Sequence, residues 1–356
     1  MLKKIEKPLL TWYDSGHRDL PWRQNKEAYR IWVSEIMLQQ TRVEAVIPYY
    51  HRFLENFPDI ASLAAAPEDK LLKCWEGLGY YSRVRNMQKA AITVMEEYNG
   101  QMPDTWEALQ TLSGIGSYTA GAIASIAFHR PVPAVDGNVL RVLSRLRMDG
   151  EFITLPAVKK RVETELLEVM PLDRPGDFNQ ALMELGATVC IPNGEPKCDS
   201  CPWNTLCLAK KNNCISEYPK REEKKKRTIE KKTVLILKEG ENIAIEKRPP
   251  KGLLAGLYQF PMLNGHLEEG EVIAVLKEKG MMAVRIEKLP EATHIFSHKE
   301  WHMIGYAVRV DELEKREEQK SIRFIHPIET QENYPIPSAF AAYAEYMNMK
   351  LGNDRF

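Results

Sequence analysis

Gly114-Ile115-Gly116 constrains this chain more than any other short stretch. Glycines adopt backbone angles closed to other residues and leave their amide N–H groups uncovered. An apolar helical pattern (Trp106, Leu109, Leu112) runs into the turn, and a second (Ala120, Ile123, Ala124, Ile126) runs out of it. Two helices joined so tightly present a helix N-terminus to solvent, and such an end attracts an anion. A phosphodiester suits Gly114 and Gly116; an ordinary tight turn between two core helices fits the same letters. Downstream, Val135-Asp136-Gly137-Asn138-Val139 supplies one carboxylate.

A chain of 356 residues can hold two domains with a sizeable core in each. Its 44% hydrophobic and 28% charged residues are those of a soluble globular protein. The net charge of zero gives no bulk sign of a nucleic-acid partner, so any basic surface must be local. No apolar run approaches the roughly 20 residues that cross a bilayer, and Met1–Thr11 lacks the pattern of a signal peptide. A cytoplasmic protein is expected, nucleoid-associated if bacterial, with no membrane partner and acting as a monomer.

Residues 1–214 read as helical, with apolar spacings of three and four in Tyr29–Thr41, Val43–Asn56, Arg83–Tyr98 and Val158–Val169. The helix–turn–helix occupies about 106–127. Residues 215–232 form a linker rich in lysine and arginine, including Lys220, Arg221, Lys224, Lys225, Lys226 and Arg227. From Thr233 the pattern alternates. Thr233–Leu237 and Ile243–Glu246 flank a Gly240 turn, Ala292–Phe296 and Trp301–Val310 form a second strand pair, and Val272–Lys279 reads as a helix. The expected class is an all-α domain followed by a mixed α/β domain at 233–356.

Four cysteines, Cys190-x7-Cys198-x2-Cys201-x5-Cys207, fall within eighteen residues, stiffened by Pro192, Pro196 and Pro202. Their spacing predicts a metal site and leaves zinc and iron–sulfur both open. Cys214 reads as a spare thiol and Cys74 as a core residue.

The glycine turn, Asp136 and the four cysteines together resemble the helix-hairpin-helix DNA glycosylases of the endonuclease III superfamily. That resemblance implies a 4Fe–4S cluster in the loop 190–207, although the family pattern has six residues between the first two ligands where this chain has seven. Leu20-Pro21-Trp22-Arg23, Ser34–Thr41, Gly77–Arg83 and Thr293–His298 narrow the likeness to the MutY adenine glycosylases. The likeness spans nearly the whole chain. It implies double-stranded DNA carrying 8-oxoguanine·adenine or guanine·adenine mispairs as the partner.

The resemblance also assigns roles. Glu35, in an apolar helical stretch, would be raised by burial and hold a proton for adenine N7. Asp136 would stay ionised near the sugar C1′, and also cap the following helix. Bifunctional relatives carry a lysine where this chain has Tyr118. A phenol cannot form a Schiff base, so Tyr118 is expected to hydrogen-bond Asp136 and exclude water in a monofunctional enzyme. Asn138 would position Asp136 or a water. Arg23 and Gln180 would read the flipped base, Gln40 and Tyr80 hold the gap, and Thr41 and Leu78 meet the opposite base.

In the second domain, Glu246–Pro249 and Gly252–Pro261 look Nudix-like, but Val272–Lys279 lacks the glutamate array of a working hydrolase. A recognition module is expected. Ser297 would sense 8-oxoguanine, whose N7 is a donor, with Phe296 as a wedge and His298 ordering the turn or meeting a phosphate. The rival readings are an endonuclease III-like pyrimidine glycosylase/lyase, a non-catalytic damage-binding protein and a nucleotide-pool Nudix hydrolase. Tyr118 and the second domain argue against the first, the pair Glu35 and Asp136 against the second, and the glutamate-poor helix against the third.

Overall fold

The fold is taken from a computed structural model, which describes residues 2–222, 226–312, 322–349 and 351. Lys224 and Lys225 of the basic stretch lie outside them. The chain forms two compact units. One comprises Met1–Ala66 with Ser82–Glu223, and the other Pro67–Tyr81 with Lys224–Phe356. Among the described residues, no helix is long and apolar enough to cross a membrane.

The first unit is helical. One core joins the helices Glu6–Gly16, Gly137–Arg147, Pro156–Leu167 and Pro175–Thr188 around Leu9, Leu143, Val162, Phe178, Leu182 and Trp203. Each such buried side chain contributes about 1.5–3 kcal/mol. The helix Gly137–Arg147 shows why the sequence folds this way. Asp136 caps its first turn, its apolar residues recur at 139, 142, 143 and 146, and Arg145 and Arg147 face the negative end of its dipole. Met148, at φ 55°, closes it in the left-handed conformation.

The glycine turn lies between the helices Trp106–Thr111 and Ser117–Phe128. Gly114 has φ +79°, the left-handed region that the turn requires. Gly116 does not share this strain: at φ −92° it is the extended N-cap of Ser117–Phe128. Both glycines are exposed.

The second unit is built on a sheet of β1 (Thr228–Glu239), β2 (Asn242–Lys247), β3 (Tyr258–Gln259), β4 (Met262–Asn264), β5 (Met281–Ile295), β6 (Lys299–Glu312) and β7 (Ile322–Ile325). The order is β3-β2-β1-β6-β5, with β4 paired to β1 and β7 to β2. β1 and β6 run parallel, and the other pairs are antiparallel. Alternate residues of β1 go to opposite faces: Val234 and Ile236 join one core with Phe260, Trp301 and Phe340, while Leu235 and Leu237 join another with Val272 and Leu276. The helix Glu269–Glu278 covers that second face. Within this unit, Asp69 pairs with Lys247 at 2.9 Å, so the short helix Glu68–Cys74 belongs with the strands.

The α-then-α/β division agrees with the sequence; the iron–sulfur part of the expected fold does not. Cys190, Cys198, Cys201 and Cys207 line one small cavity. Even so, among the described residues no three or more Cys, His, Asp or Glu side chains are arranged to hold a metal ion. The described residues therefore contradict the expected 4Fe–4S cluster and the expected role of loop 190–207 as its cradle. Spacing brings the four residues to one place but does not aim their sulfurs. Burial, reinforced by the neighbouring cysteines, pushes the thiols of Cys198, Cys201 and Cys207 up, that of Cys201 to about 12. Arg145 takes up two of the sulfurs: its Nη1 donates to Cys190 Sγ at 3.4 Å, and its carbonyl accepts from Cys207 Sγ at 3.5 Å.

Candidate active site

A cleft of about 890 Å³ in the helical unit gathers Glu35, Tyr118, Asp136, Asn138, Arg23, Gln180, Gln40 and Thr41. Five separate chain segments supply these side chains, and each is fixed by its own local structure.

Glu35 lies on the helix Ala28–Leu38, whose residues 31–37 are all buried. It is only 6% exposed. Burial raises its carboxyl from 4.5 to about 7, with the Tyr118 hydrogen bond and the Arg23 cation opposing and the Asp136 charge reinforcing. At neutral pH a large fraction of Glu35 therefore keeps its proton.

Tyr118 stands in the first turn of Ser117–Phe128, directly after the glycine turn. The phenol donates to Glu35 Oε2 at 2.5 Å and touches Met183 Sδ at 3.1 Å. The expected partner, Asp136, is not the one it takes. Both Asp136 oxygens already accept strong donors, whereas Glu35 offers a buried acceptor. Burial first, then the charges of Glu35 and Asp136, hold the phenol well above its ordinary value, so Tyr118 remains a donor. Because it donates to Oε2, the proton of a neutral Glu35 belongs on Oε1.

Asp136 Oδ1 accepts the Val139 N–H at 2.8 Å, and Oδ2 accepts Asn138 Nδ2 at 2.7 Å. Burial is the largest effect and leaves its carboxyl raised above the ordinary value, with these hydrogen bonds and the Arg141 cation opposing it. Asn138 is held in turn: its Oδ1 accepts from Arg141 Nη2 at 2.8 Å, leaving its amide nitrogen for Asp136. Arg141 is 3% exposed and also donates to the carbonyls of Gly186 (2.8 Å) and Cys190 (2.9 Å). A Cβ at Gly186 would lie 2.6 Å from Asn138 Cβ, so only glycine permits this approach.

Arg23 donates through Nη2 to Glu184 Oε2 at 2.7 Å and through Nη1 to the Arg18 carbonyl at 2.9 Å. Arg18 grips the same carboxylate from Nε (2.8 Å) and Nη2 (2.9 Å). Burial alone would raise Glu184, but the hydrogen bonds and charges of Arg18 and Arg23 outweigh it and hold the carboxyl below its usual range. Sequence reasoning missed Glu184, Arg18 and Arg141. Glu184 stands four residues after Gln180 on one helix, a spacing that puts both on one face.

Gln40, just past the helix Ala28–Leu38, has φ +60°. Arg83 Nη1 donates to the carbonyls of Ile36 (2.7 Å) and Gln39 (2.6 Å) and so satisfies that helix end. The remaining sequence-predicted residues are elsewhere. Gly114 and Gly116 form the exposed turn between their two helices. Leu78 (6% exposed) and Tyr80 (48%) belong to the strand-bearing unit, as do Phe296, Ser297 and His298. These last three make the turn from β5 to β6. Ser297 and His298 are exposed, with Ser297 Oγ 3.2 Å from His298 Nδ1. Phe296 is half-buried, its ring set edge-on to those of His294 and Trp301.

Chemically, the cleft offers a carboxylic acid that keeps its proton near neutrality, a second carboxylate fed by hydrogen-bond donors, and a phenol between helices. An acid and a nearby anion suit cleavage of a glycosidic bond.

Comparison with known proteins agrees with that chemistry. Residues 33–171 match the family described as HhH-GPD superfamily base excision DNA repair protein, and residues 233–346 match the NUDIX domain. The chain is 37% identical to the adenine DNA glycosylase of Mus musculus, over 85% of this chain and 70% of that one. It is 35% identical to the adenine DNA glycosylase of Buchnera aphidicola from Acyrthosiphon pisum, over 85% of each. A thermostable thymine-DNA glycosylase is similar in structure, with a TM-score of 0.55 and 28% identity, over 59% of this chain and 97% of that one.

Proposed function

The chain belongs to the MutY-type adenine DNA glycosylases of the HhH-GPD superfamily, enzymes of base excision repair, and from that premise we propose which residues carry the reaction and which mispair it serves. The reading is of a monofunctional enzyme. It flips out adenine paired with 8-oxoguanine, or with guanine, and hydrolyses its N-glycosidic bond to leave an abasic site.

The observation that carries this reading is the 2.5 Å contact of Tyr118 with Glu35 in a cleft shared with Asp136. Glu35 gives its proton to adenine N7 as the C1′–N9 bond breaks and the electron pair leaves with the base. Asp136, ionised and supplied with donors, stabilises the positive charge that develops on the sugar, electrostatically or through a transient bond. Water then adds to C1′ and its proton returns to Glu35. Tyr118 has no amine with which to trap the opened sugar, so the strand is left intact. Asn138 fixes Asp136, and Arg23 and Gln180 read the edge of the flipped base.

On the DNA side, Gly114 and Gly116 receive a phosphate. Gln40 and Tyr80 occupy the gap left by adenine, and Thr41 and Leu78 meet the opposite base. Ser297, exposed at a tight turn, tells 8-oxoguanine from guanine through N7, with His298 at 3.2 Å orienting its hydroxyl and Phe296 beside it. In functional terms residues 1–214 form the catalytic module, 215–232 the linker and 233–356 the reader.

Single-turnover adenine release from duplexes pairing adenine with 8-oxoguanine, guanine and thymine tests this. The 8-oxoguanine duplex should react fastest; equal rates on all three would remove the reader. Efficient borohydride trapping through an active-site lysine would overturn the monofunctional assignment.

A further inference from the structure

The segment Pro67–Tyr81 interrupts the helical unit and belongs to the compact unit that carries the sheet. Three side chains fasten it there. Asp69 Oδ1 accepts from Lys247 Nζ at 2.9 Å. Lys73 Nζ donates to the Thr330 carbonyl at 2.8 Å, on the helix Pro327–Glu332. Glu76 Oε1 accepts the Ile336 backbone N–H at 2.8 Å, while its Oε2 takes Lys73 Nζ at 2.6 Å. One carboxylate thus holds both a backbone amide and the lysine that grips the neighbouring helix. Hydrogen bonds to an ionised acceptor are among the strong ones.

The residues just after Glu76 give that fastening a purpose. Gly77 (φ 99°), Gly79 (φ 68°) and Tyr80 (φ 45°) all lie in the left-handed region. The turn is closed by the Trp75 indole N–H, which donates to the Gly79 carbonyl at 3.0 Å. The shape of the turn is thus held from within, and Glu76 stands at its root.

We propose that Glu76, with Lys73, is a positioning residue that locks the Leu78–Tyr80 turn to the body carrying Phe296–His298, so that gap-holding and lesion-reading residues engage the duplex as one piece. This rests on the proposed duplex-contacting roles of Tyr80 and Ser297. Selectivity for the base opposite adenine then depends on a residue that need not touch DNA.

The test uses the full chain and duplexes carrying a non-hydrolysable adenine analogue opposite 8-oxoguanine or guanine, with binding read by fluorescence anisotropy. Glu76→Ala should lower the preference for 8-oxoguanine about tenfold, the worth of one hydrogen bond to a charged group. The rate of base release from saturated enzyme should stay within about twofold of the original. Glu76→Gln should restore most of the preference, because its amide oxygen still accepts the Ile336 N–H. Lys73→Met, which keeps the aliphatic stem, should lower the preference in the same direction, and serves if Glu76→Ala does not fold. In the double variant Glu76→Ala/Ser297→Ala, the losses should be less than additive. Unchanged preference in both Glu76→Ala and Lys73→Met, or full additivity in the double variant, overturns the inference. An unchanged preference in Ser297→Ala alone would instead overturn the reading beneath it.

Discussion

Replacing Glu35 by glutamine should make the protein more stable at alkaline pH and leave its acid-side stability almost unchanged. Burial lifts this carboxyl from 4.5 to about 7. Below pH 4.5 it is protonated in folded and unfolded chains alike and contributes no pH dependence. Between 4.5 and 7 the unfolded chain releases the proton and the folded chain retains it, so stability falls as pH rises. Above 7 the folded protein carries the whole penalty. At about 1.36 kcal/mol for each pKa unit, that penalty is about 3 kcal/mol. Glutamine has no proton to lose, and its amide oxygen can still accept from Tyr118. Urea unfolding of both proteins from pH 4.5 to 8.5, followed by tryptophan fluorescence, measures the effect. The variant's advantage should grow across this range by about 3 kcal/mol. A difference that stays constant within about 0.5 kcal/mol, the scatter of a neutral substitution, would refute the argument and with it the case for Glu35 as the acid.

Other outcomes rest on the same geometry. Single-turnover adenine release should decline as pH rises through about 7, where Glu35 loses its proton. In Tyr118→Phe that decline should move to higher pH, because the lost hydrogen bond is one that lowers the Glu35 carboxyl; an unmoved pH profile would detach Tyr118 from the acid. Gly186→Ala should cost about 1–3 kcal/mol in denaturant unfolding and slow base release, since its new methyl displaces Asn138. Glu184→Ala should cost about 3 kcal/mol by leaving Arg18 and Arg23 without their shared anion, and Glu184→Gln distinctly less; equal losses would show that charge plays no part.

The sequence revealed elements and chemistry better than it revealed who touches whom. Thr233–Leu237 and Ile243–Glu246 alternate because β1 and β2 bury one set of residues on each face, and both strands are present. The helix read at Val272–Lys279 runs Glu269–Glu278. Burial of Glu35 follows from its apolar neighbours on a helix enclosed nearly all round. The Tyr118 partner was not legible. Which of two carboxylates a phenol reaches depends on how helices distant in sequence pack. The same holds for Arg18, Arg23 and Glu184, joined across 166 and 161 residues. The cysteines mark the limit most sharply, since their spacing predicts proximity and is silent about the direction of each sulfur. Nor does any letter in Pro67–Tyr81 announce that this stretch belongs to the compact unit that carries the strands.

That last arrangement sets a timetable for synthesis. Lys73 and the Thr330 carbonyl that it holds are separated by 257 residues. A ribosome adds about 5–20 residues per second, so the segment waits on the order of ten seconds or more before its partners exist. Meanwhile the helices on both sides of it can begin to pack, with this stretch as an unplaced loop between them. Completion of the N-terminal third of the chain is therefore governed by the last part to leave the ribosome. A ribosome stalled before residue 330 would hold a nascent chain whose Lys73 still lacks the Thr330 carbonyl that it grips in the finished fold.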